Sequence, residues 1–129
     1  MIEVLKHTMA QHSLEFLEIK TLHEAEQLIK TIGSDPQSIN IMAPKAILKV
    51  IKVKNVILQD AIIIKQDMLS LGGEVAIPKN AYELHNDTAD ILIMGTVLQL
   101  RELVQKLNRH YPRIHVISKE LSDLIQNIQ

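Results

Sequence analysis

The sequence contains no cysteine and no tryptophan, and only 2% of its 129 residues are aromatic. Without cysteine the chain forms no disulfide, thiolate zinc site or iron–sulfur cluster, and it has no cysteine nucleophile. The few aromatic side chains, Phe16, Tyr82 and Tyr111, argue against stacking of nucleic-acid bases. The core must therefore be aliphatic, built mostly of isoleucine, leucine and valine.

The sequence also lacks a large excess of positive or negative residues, since the net charge is -1. This balance gives no electrostatic reason to expect nucleic acid or an anionic membrane as a partner. No apolar run approaches the roughly 20 residues of a transmembrane helix, and the stretch Met1–His7 lacks the form of a signal peptide. We therefore expect a cytoplasmic protein with neither a nucleic-acid nor a membrane partner.

The length and the apolar content of 47% predict one globular domain over residues 1–129. Two capping boxes, at Thr21–Glu24 and Thr96–Gln99, predict helix starts, and Gly33 suits a helix end. The pattern of residues 2–10 leaves helix and strand open. The predicted helices are Leu22–Ile32, about Gln59–Leu71, Thr96–Arg109 and a last one from Ser118 to Ile128.

Short apolar runs between these helices predict the strands. Lys49, Lys52 and Lys54 accompany the longest run, Ala46–Val53, and suggest one solvent-exposed face or an edge strand. The alternation of this run slips near Lys49, which suggests a bulge. Alternating strands and helices predict an α/β fold, a single layered domain with a mixed or mainly parallel sheet of about five strands and helices packed on it. The predicted strands are Leu14–Ile19, Ile39–Met42, Ala46–Val53, Glu74–Ile77, Ile91–Met94 and Ile114–Ile117.

A family resemblance covers residues 39–108. The stretches Ala61–Ala76, Thr88–Thr96 and Gln99–Leu107 carry it, and they include a Met-Leu-Ser run, a double glycine and a Met-Gly-Thr run in order. In these residues the chain resembles the N-terminal extension of certain bacterial and archaeal dihydropteroate synthases. The synthase chemistry lies in a TIM barrel of about 250 residues that follows the extension. The resemblance therefore implies an accessory domain without catalytic residues, associated with folate biosynthesis.

A small-ligand site is an alternative function. Gly95 and Thr96 lie between a strand and a helix N-terminus, where backbone amides favour an anion or a pterin-like group. Gly72, Gly73 and Lys79 are the other residues that we predict at this mouth. A capping threonine and a helix-ending double glycine explain the same residues without a ligand, so both explanations remain open.

The isoleucine run Ile62, Ile63 and Ile64 lies in the most apolar helix of the chain. Such a helix is usually covered on more than one side. Either these residues belong to the core, or their outer side forms an interface for self-association or for a folate-pathway enzyme.

Few other residues suggest a metal site or a catalytic role. None of the six histidines is spaced three or four residues from another on a predicted helix, so we expect no metal site, and nothing indicates a cofactor. A small enzyme that uses His85 and Asp90 is the least favoured alternative. The leading prediction is a non-catalytic interaction domain that associates with itself or with a folate-pathway enzyme.

Overall fold

Three strands form one antiparallel sheet in the computed structural model, which describes residues 11–84 and 86–129. β3 lies in the middle and pairs with β1 on one side and with β2 on the other. The elements in chain order are α1 (Leu22–Thr31), α2 (Pro36–Met42), a 3-10 turn (Ala43–Lys45), β1 (Leu48–Ile57), α3 (Leu58–Ser70), β2 (Glu74–Ala76), β3 (Thr88–Thr96), α4 (Val97–Leu107) and α5 (Pro112–Gln126).

This sheet corrects the predicted fold. The α/β class is right, but a mixed or mainly parallel sheet of about five strands is wrong, because the sheet has three strands and every pairing is antiparallel. β1, α3 and β2 follow one another closely, and the loop after β2 reverses the chain into β3. The central strand therefore runs opposite to both of its neighbours.

Two of the missing strands are helical for the same reason. Pro36 and Pro112 stand in the first turns of α2 and α5, where proline has no amide hydrogen bond to lose and its fixed φ suits a helix. Asp35 caps α2 by accepting from the Gln37 amide at 3.0 Å. The predicted strands Ile39–Met42 and Ile114–Ile117 lie inside these helices.

The third missing strand, Leu14–Ile19, lies in a segment without helix or strand. Neither β1 nor β2 pairs with it within the described chain. The segment 2–10, whose structure the sequence leaves open, falls outside the described residues.

Within the described residues, the helices cover one face of the sheet and leave the other open. Val75, Ile91 and Ile93 on that face are buried together with residues of α3, α4 and α5. A smaller buried group of Ala25, Ala43, Ile47 and Val97 holds α1 and the 3-10 turn against the start of α4. The main core consists of Val56, Ala61, Ile64, Met68, Val75, Ile91, Ile93, Leu100, Leu103, Leu107, Ile114, Leu121 and Ile125.

The bulge in β1 is real, but it lies further along the strand than predicted. The pairing with β3 shifts between Val53 and Val56, and Asn55 has a φ of 57°. Asparagine tolerates this left-handed conformation better than most residues. The Asn55 amide donates to the Asp90 carboxylate on β3 at 3.2 Å, which holds the bulged backbone against its neighbour.

Candidate functional site

Three glycines of the predicted ligand site surround the side chains of Met68 and Gln99. A Cβ atom at Gly73 would lie 2.6 Å from the Met68 methyl carbon, and one at Gly95 would overlap the same methyl group. A Cβ atom at Gly72 would lie 3.2 Å from Gln99 Nε2. Met68 is fully buried, so the glycines make room for a core side chain.

The backbone at this junction is held by capping hydrogen bonds. Gly73 donates to the Met68 carbonyl and Gly72, with a φ of +91°, donates to the Leu69 carbonyl, each at 3.1 Å. These two bonds form a complete Schellman motif at the end of α3. The double glycine therefore has a structural role in ending α3.

Thr96 and Gln99 form the predicted capping box of α4. The Thr96 hydroxyl accepts from the Gln99 amide at 3.1 Å, and Thr96 N donates to Gln99 Oε1 at 2.9 Å. Gln99 Nε2 also donates to the Leu71 carbonyl at 3.1 Å, which ties α4 to the end of α3. Lys79 is exposed on the loop after β2. Capping and packing thus account for four of the five predicted residues, and ligand binding there stays a prediction.

The isoleucine run of α3 is divided between core and surface. Ile64 is fully buried in the main core, and Ile63 is half-buried and packs against that core. Ile62 is half-buried. An interface on this helix would use Ile62 and Ile63 and not Ile64.

The open face of the sheet, defined by Leu48, Val50, Leu92 and Met94, is the clearest apolar surface. No helix in the described part of the chain packs on it. Leu48 is 66% exposed, Val50 is 57% exposed, and Leu92 on β3 is also exposed. At the rim, Lys52 lies 3.7 Å from the carboxylate of Asp90. An apolar centre with a charged rim is typical of a protein–protein interface.

A groove of about 520 Å³ runs between β1 and α5. Ile51 and Val53 line it from the strand, and Val116 and Leu124 line it from the helix. Val116 is 61% exposed in this groove. Within the described residues β1 pairs only with β3, so its other edge presents unpaired backbone groups beside the groove. An unpaired strand edge is a template for the addition of another strand.

Asp60 and Arg113 line the same groove and belong to a cluster of three polar side chains. Arg113 donates to both carboxylate oxygens of Asp60, at 2.6 and 2.7 Å, and the Tyr111 hydroxyl donates to the same carboxylate. The Arg113 guanidinium also lies 5.1 Å from the centre of the Tyr111 ring. Asp60 is only 1% exposed. The cluster fixes the start of α3 to the start of α5.

The electrostatics of this cluster favour its charged form. Burial raises the pKa of Asp60, but the hydrogen bonds from Arg113 and Tyr111 and the charge of Arg113 outweigh burial, and the pKa lies below its ordinary value. Burial and the hydrogen bond to Asp60 raise the pKa of the Tyr111 phenol. Each group is occupied by another member of the cluster, so the arrangement is suited to holding two helices together.

This cluster could not be predicted from the sequence, because 53 residues separate Asp60 from Arg113. One signal was present, since an acidic residue in the first turn of so apolar a helix requires a cationic partner if it is buried. Nothing in the spacing identifies Arg113 as that partner. Arg113 lies next to Pro112 at the start of α5, just before the part of this helix, Ile114–Ile117, that was predicted as a strand.

The histidines show no metal site in the described chain. His110 lies 2.8 Å from a carboxylate oxygen of Asp67, as a single pair, and no group of three metal-ligating side chains occurs among residues 11–84 and 86–129. His85, the candidate acid or base, lies outside the described residues, and Asp90 contacts Lys52 and the Asn55 amide.

Comparison with known proteins does not assign the chain to a family. No family model, no curated protein and no solved structure matches the chain. Every helix in the described ranges is too short or too polar to cross a membrane.

Proposed function

We propose that this chain is a non-catalytic interaction domain that associates with a second copy of itself through the open face of its sheet. The exposure of Leu48 and Val50 beside Leu92 carries the proposal. Exposed apolar residues that adjoin one another, unlike scattered ones, mark contact surfaces. The polar cluster of Asp60, Arg113 and Tyr111 supports a structural role, since its members are bonded to one another.

The charges around the open face suit a second copy. A two-fold interface brings the same patch together with itself, so the patch must be self-complementary. Lys52 stands on the β1 side of this face, and Asp90 and Glu74, which pair with Lys52 and Lys65, supply the opposite charge on β3 and β2. A rim with both signs can therefore meet its own copy without repulsion between like charges.

Size-exclusion chromatography with light scattering tests the proposal. We expect the wild-type chain of 14.6 kDa to give twice that mass as its concentration rises. Val50→Glu places a charge in the open face and should give the mass of one chain, with an unchanged circular dichroism spectrum. Ile41→Glu is the matched control, because Ile41 is an exposed apolar residue of α2 outside the sheet, and it should keep the dimer. A wild-type protein that remains a single chain at every concentration contradicts the proposal.

A dihydropteroate synthase is the second candidate partner. The resemblance that favours it covers residues 39–108, a range that contains β1, β2 and β3 and therefore the whole open face. On this proposal the chain is an accessory domain of the folate pathway that docks on the catalytic barrel. Mixing the chain with a purified synthase should give a mixed complex, and Val50→Glu should weaken that complex while Ile41→Glu should not.

A further inference from the structure

The segment Leu14–Ile19, which we call the arm, carries apolar side chains that the rest of the described chain leaves uncovered. Leu14 is 90% exposed, Phe16 is fully exposed, and Leu17 is exposed as well. Phe16 is the only phenylalanine of the protein. No hydrogen bond joins residues 11–19 to any other described residue. Burial of these side chains against a surface would stabilise an arm that is now in contact with water.

The sequence of the arm suits a strand that is covered on both faces. Successive side chains of a strand point to opposite sides. Leu14 and Phe16 would share one face of such a strand and Leu17 would lie on the other, while Ile19 at the root of the arm already packs against the smaller core group. A strand added beside the free edge of β1 would also have two apolar surroundings. One face of the added strand would extend the open face of the sheet, and its other face would lie against the groove and α5.

The free edge of β1 has the matching chemistry. β1 contains Lys49, Lys52 and Lys54 and no acidic residue, and the arm contains Glu15 and Glu18 and no basic residue. Lys49 and Lys54 form no ion pair with another described residue. Opposite charges on neighbouring strands stabilise their pairing, and like charges oppose it. Two β1 edges would therefore repel each other, whereas β1 and the arm attract.

The root of the arm lies beside this edge. Lys20 and Thr21 line a second cavity together with Lys49 and Val50. The Leu22 amide donates to the Gln129 carbonyl at 2.6 Å, which fixes the start of α1 to the end of the chain. The arm thus leaves the body next to β1, yet within one chain it stays outside the groove.

We infer that the arm of one copy adds to β1 of a second copy as a fourth strand, and that the second copy returns its own arm in the same way. This inference rests on the proposed self-association and names the element that each copy exchanges. Apolar side chains of the arm would cover the groove beside Val116 and Leu124, and its glutamates would face the β1 lysines. Exchange of both arms satisfies two strand edges with one two-fold contact.

Charge reversal on each partner tests the exchange. Glu15→Lys/Glu18→Lys reverses the arm, and Lys49→Glu/Lys54→Glu reverses the edge. Measured by analytical ultracentrifugation, each variant alone should show a dimer dissociation constant raised about tenfold. An equal mixture of the two variants should recover the wild-type constant as a mixed dimer, since both arm–edge contacts are again complementary. Glu26→Lys/Glu83→Lys, which makes the same change of charge away from the arm and β1, should not raise it.

A tryptophan in the arm gives a second measurement that does not depend on charge reversal. The chain has no tryptophan, so Phe16→Trp reports only on the arm. We expect its emission to shift to shorter wavelength as dimers form and to return to that of exposed tryptophan on dilution. A shifted emission at every dilution, with the mass of one chain, would show the arm bound to its own β1 and would overturn the exchange.

The outcomes also separate this inference from the proposed function. If the wild type dimerises and charge reversal in the arm leaves the dissociation constant unchanged, the exchange is overturned, but association through the open face is not. A wild-type chain that never dimerises overturns both. A dissociation constant that rises on arm reversal and returns to the wild-type value in the mixture supports the exchange, and loss of the dimer in Val50→Glu supports association through the open face.

Discussion

Replacing Gly95 with alanine tests the packing at the end of α3. The added methyl group would overlap the Met68 methyl and lie 3.0 Å from Gln99 Oε1. Overpacking of this kind costs about 1–3 kcal/mol, and the reduced freedom of the unfolded chain returns about 0.5 kcal/mol. We therefore expect the free energy of unfolding to fall by about 1.5 kcal/mol, and Tm by about 6 °C for a domain of this size. Urea unfolding followed by circular dichroism measures the first quantity, and a thermal melt measures the second.

A second substitution identifies Met68 as the cause. Met68→Leu removes the methyl carbon that the new side chain would overlap, at a cost below about 1.5 kcal/mol. In a double-mutant cycle the two changes should show a favourable coupling of about 1 kcal/mol. Gly33→Ala is the control, because nothing lies within 4 Å of a Cβ there and its cost comes from a φ of +81°. Met68→Leu should not rescue it. Gly95→Ala with wild-type stability, or a cycle without coupling, would refute the packing argument.

Two further predictions concern the polar contacts. Asp60→Asn should lower the free energy of unfolding by about 2 kcal/mol, less than for a fully buried pair, because Arg113 is half-exposed. Folding lowers the pKa of Asp60, so the contribution of the ionised carboxylate to the free energy of unfolding is complete above the unfolded pKa of about 4 and is lost as the pH falls through the folded value. The variant should therefore lose less stability than the wild type below about pH 4. Parallel acid unfolding curves would contradict this. Thr96→Val should cost about 1 kcal/mol through loss of the cap on α4. A small molecule that copurifies with the wild type and is absent from Thr96→Val in native mass spectrometry would instead support the ligand site.

Local signals in the sequence predicted local structure. The helix expected at about Gln59–Leu71 is confirmed as Leu58–Ser70, and the capping box of Thr96 and Gln99 is complete. At α1 the threonine cap is confirmed, but Glu24 accepts from the Lys20 amide and not from Thr21. Each of these features depends on side chains a few residues apart, whose contacts the spacing alone decides.

Features that depend on distant partners could not be predicted in this way. A four-residue apolar run such as Ile114–Ile117 fits a strand or one turn of a helix equally well. The preceding Pro112 would suit a position just after a helix as well as the first turn of one, and in the structure it opens α5. The number and direction of strands, and the meeting of Asp60 with Arg113, depend on how these elements pack.

The position of β3 has a consequence for the order of folding. β1 and β2 both precede β3 in the chain, yet among residues 11–84 and 86–129 each pairs only with β3. Synthesis delivers the two outer strands first, so no ladder of the sheet can form until Thr88–Thr96 has left the ribosome. Pairing of Leu48 with Thr96 then closes a loop that contains all of α3 and β2, and such distant contacts slow folding more than local ones. A nascent chain that stalls before β3 therefore contains helices and two strand segments without a sheet.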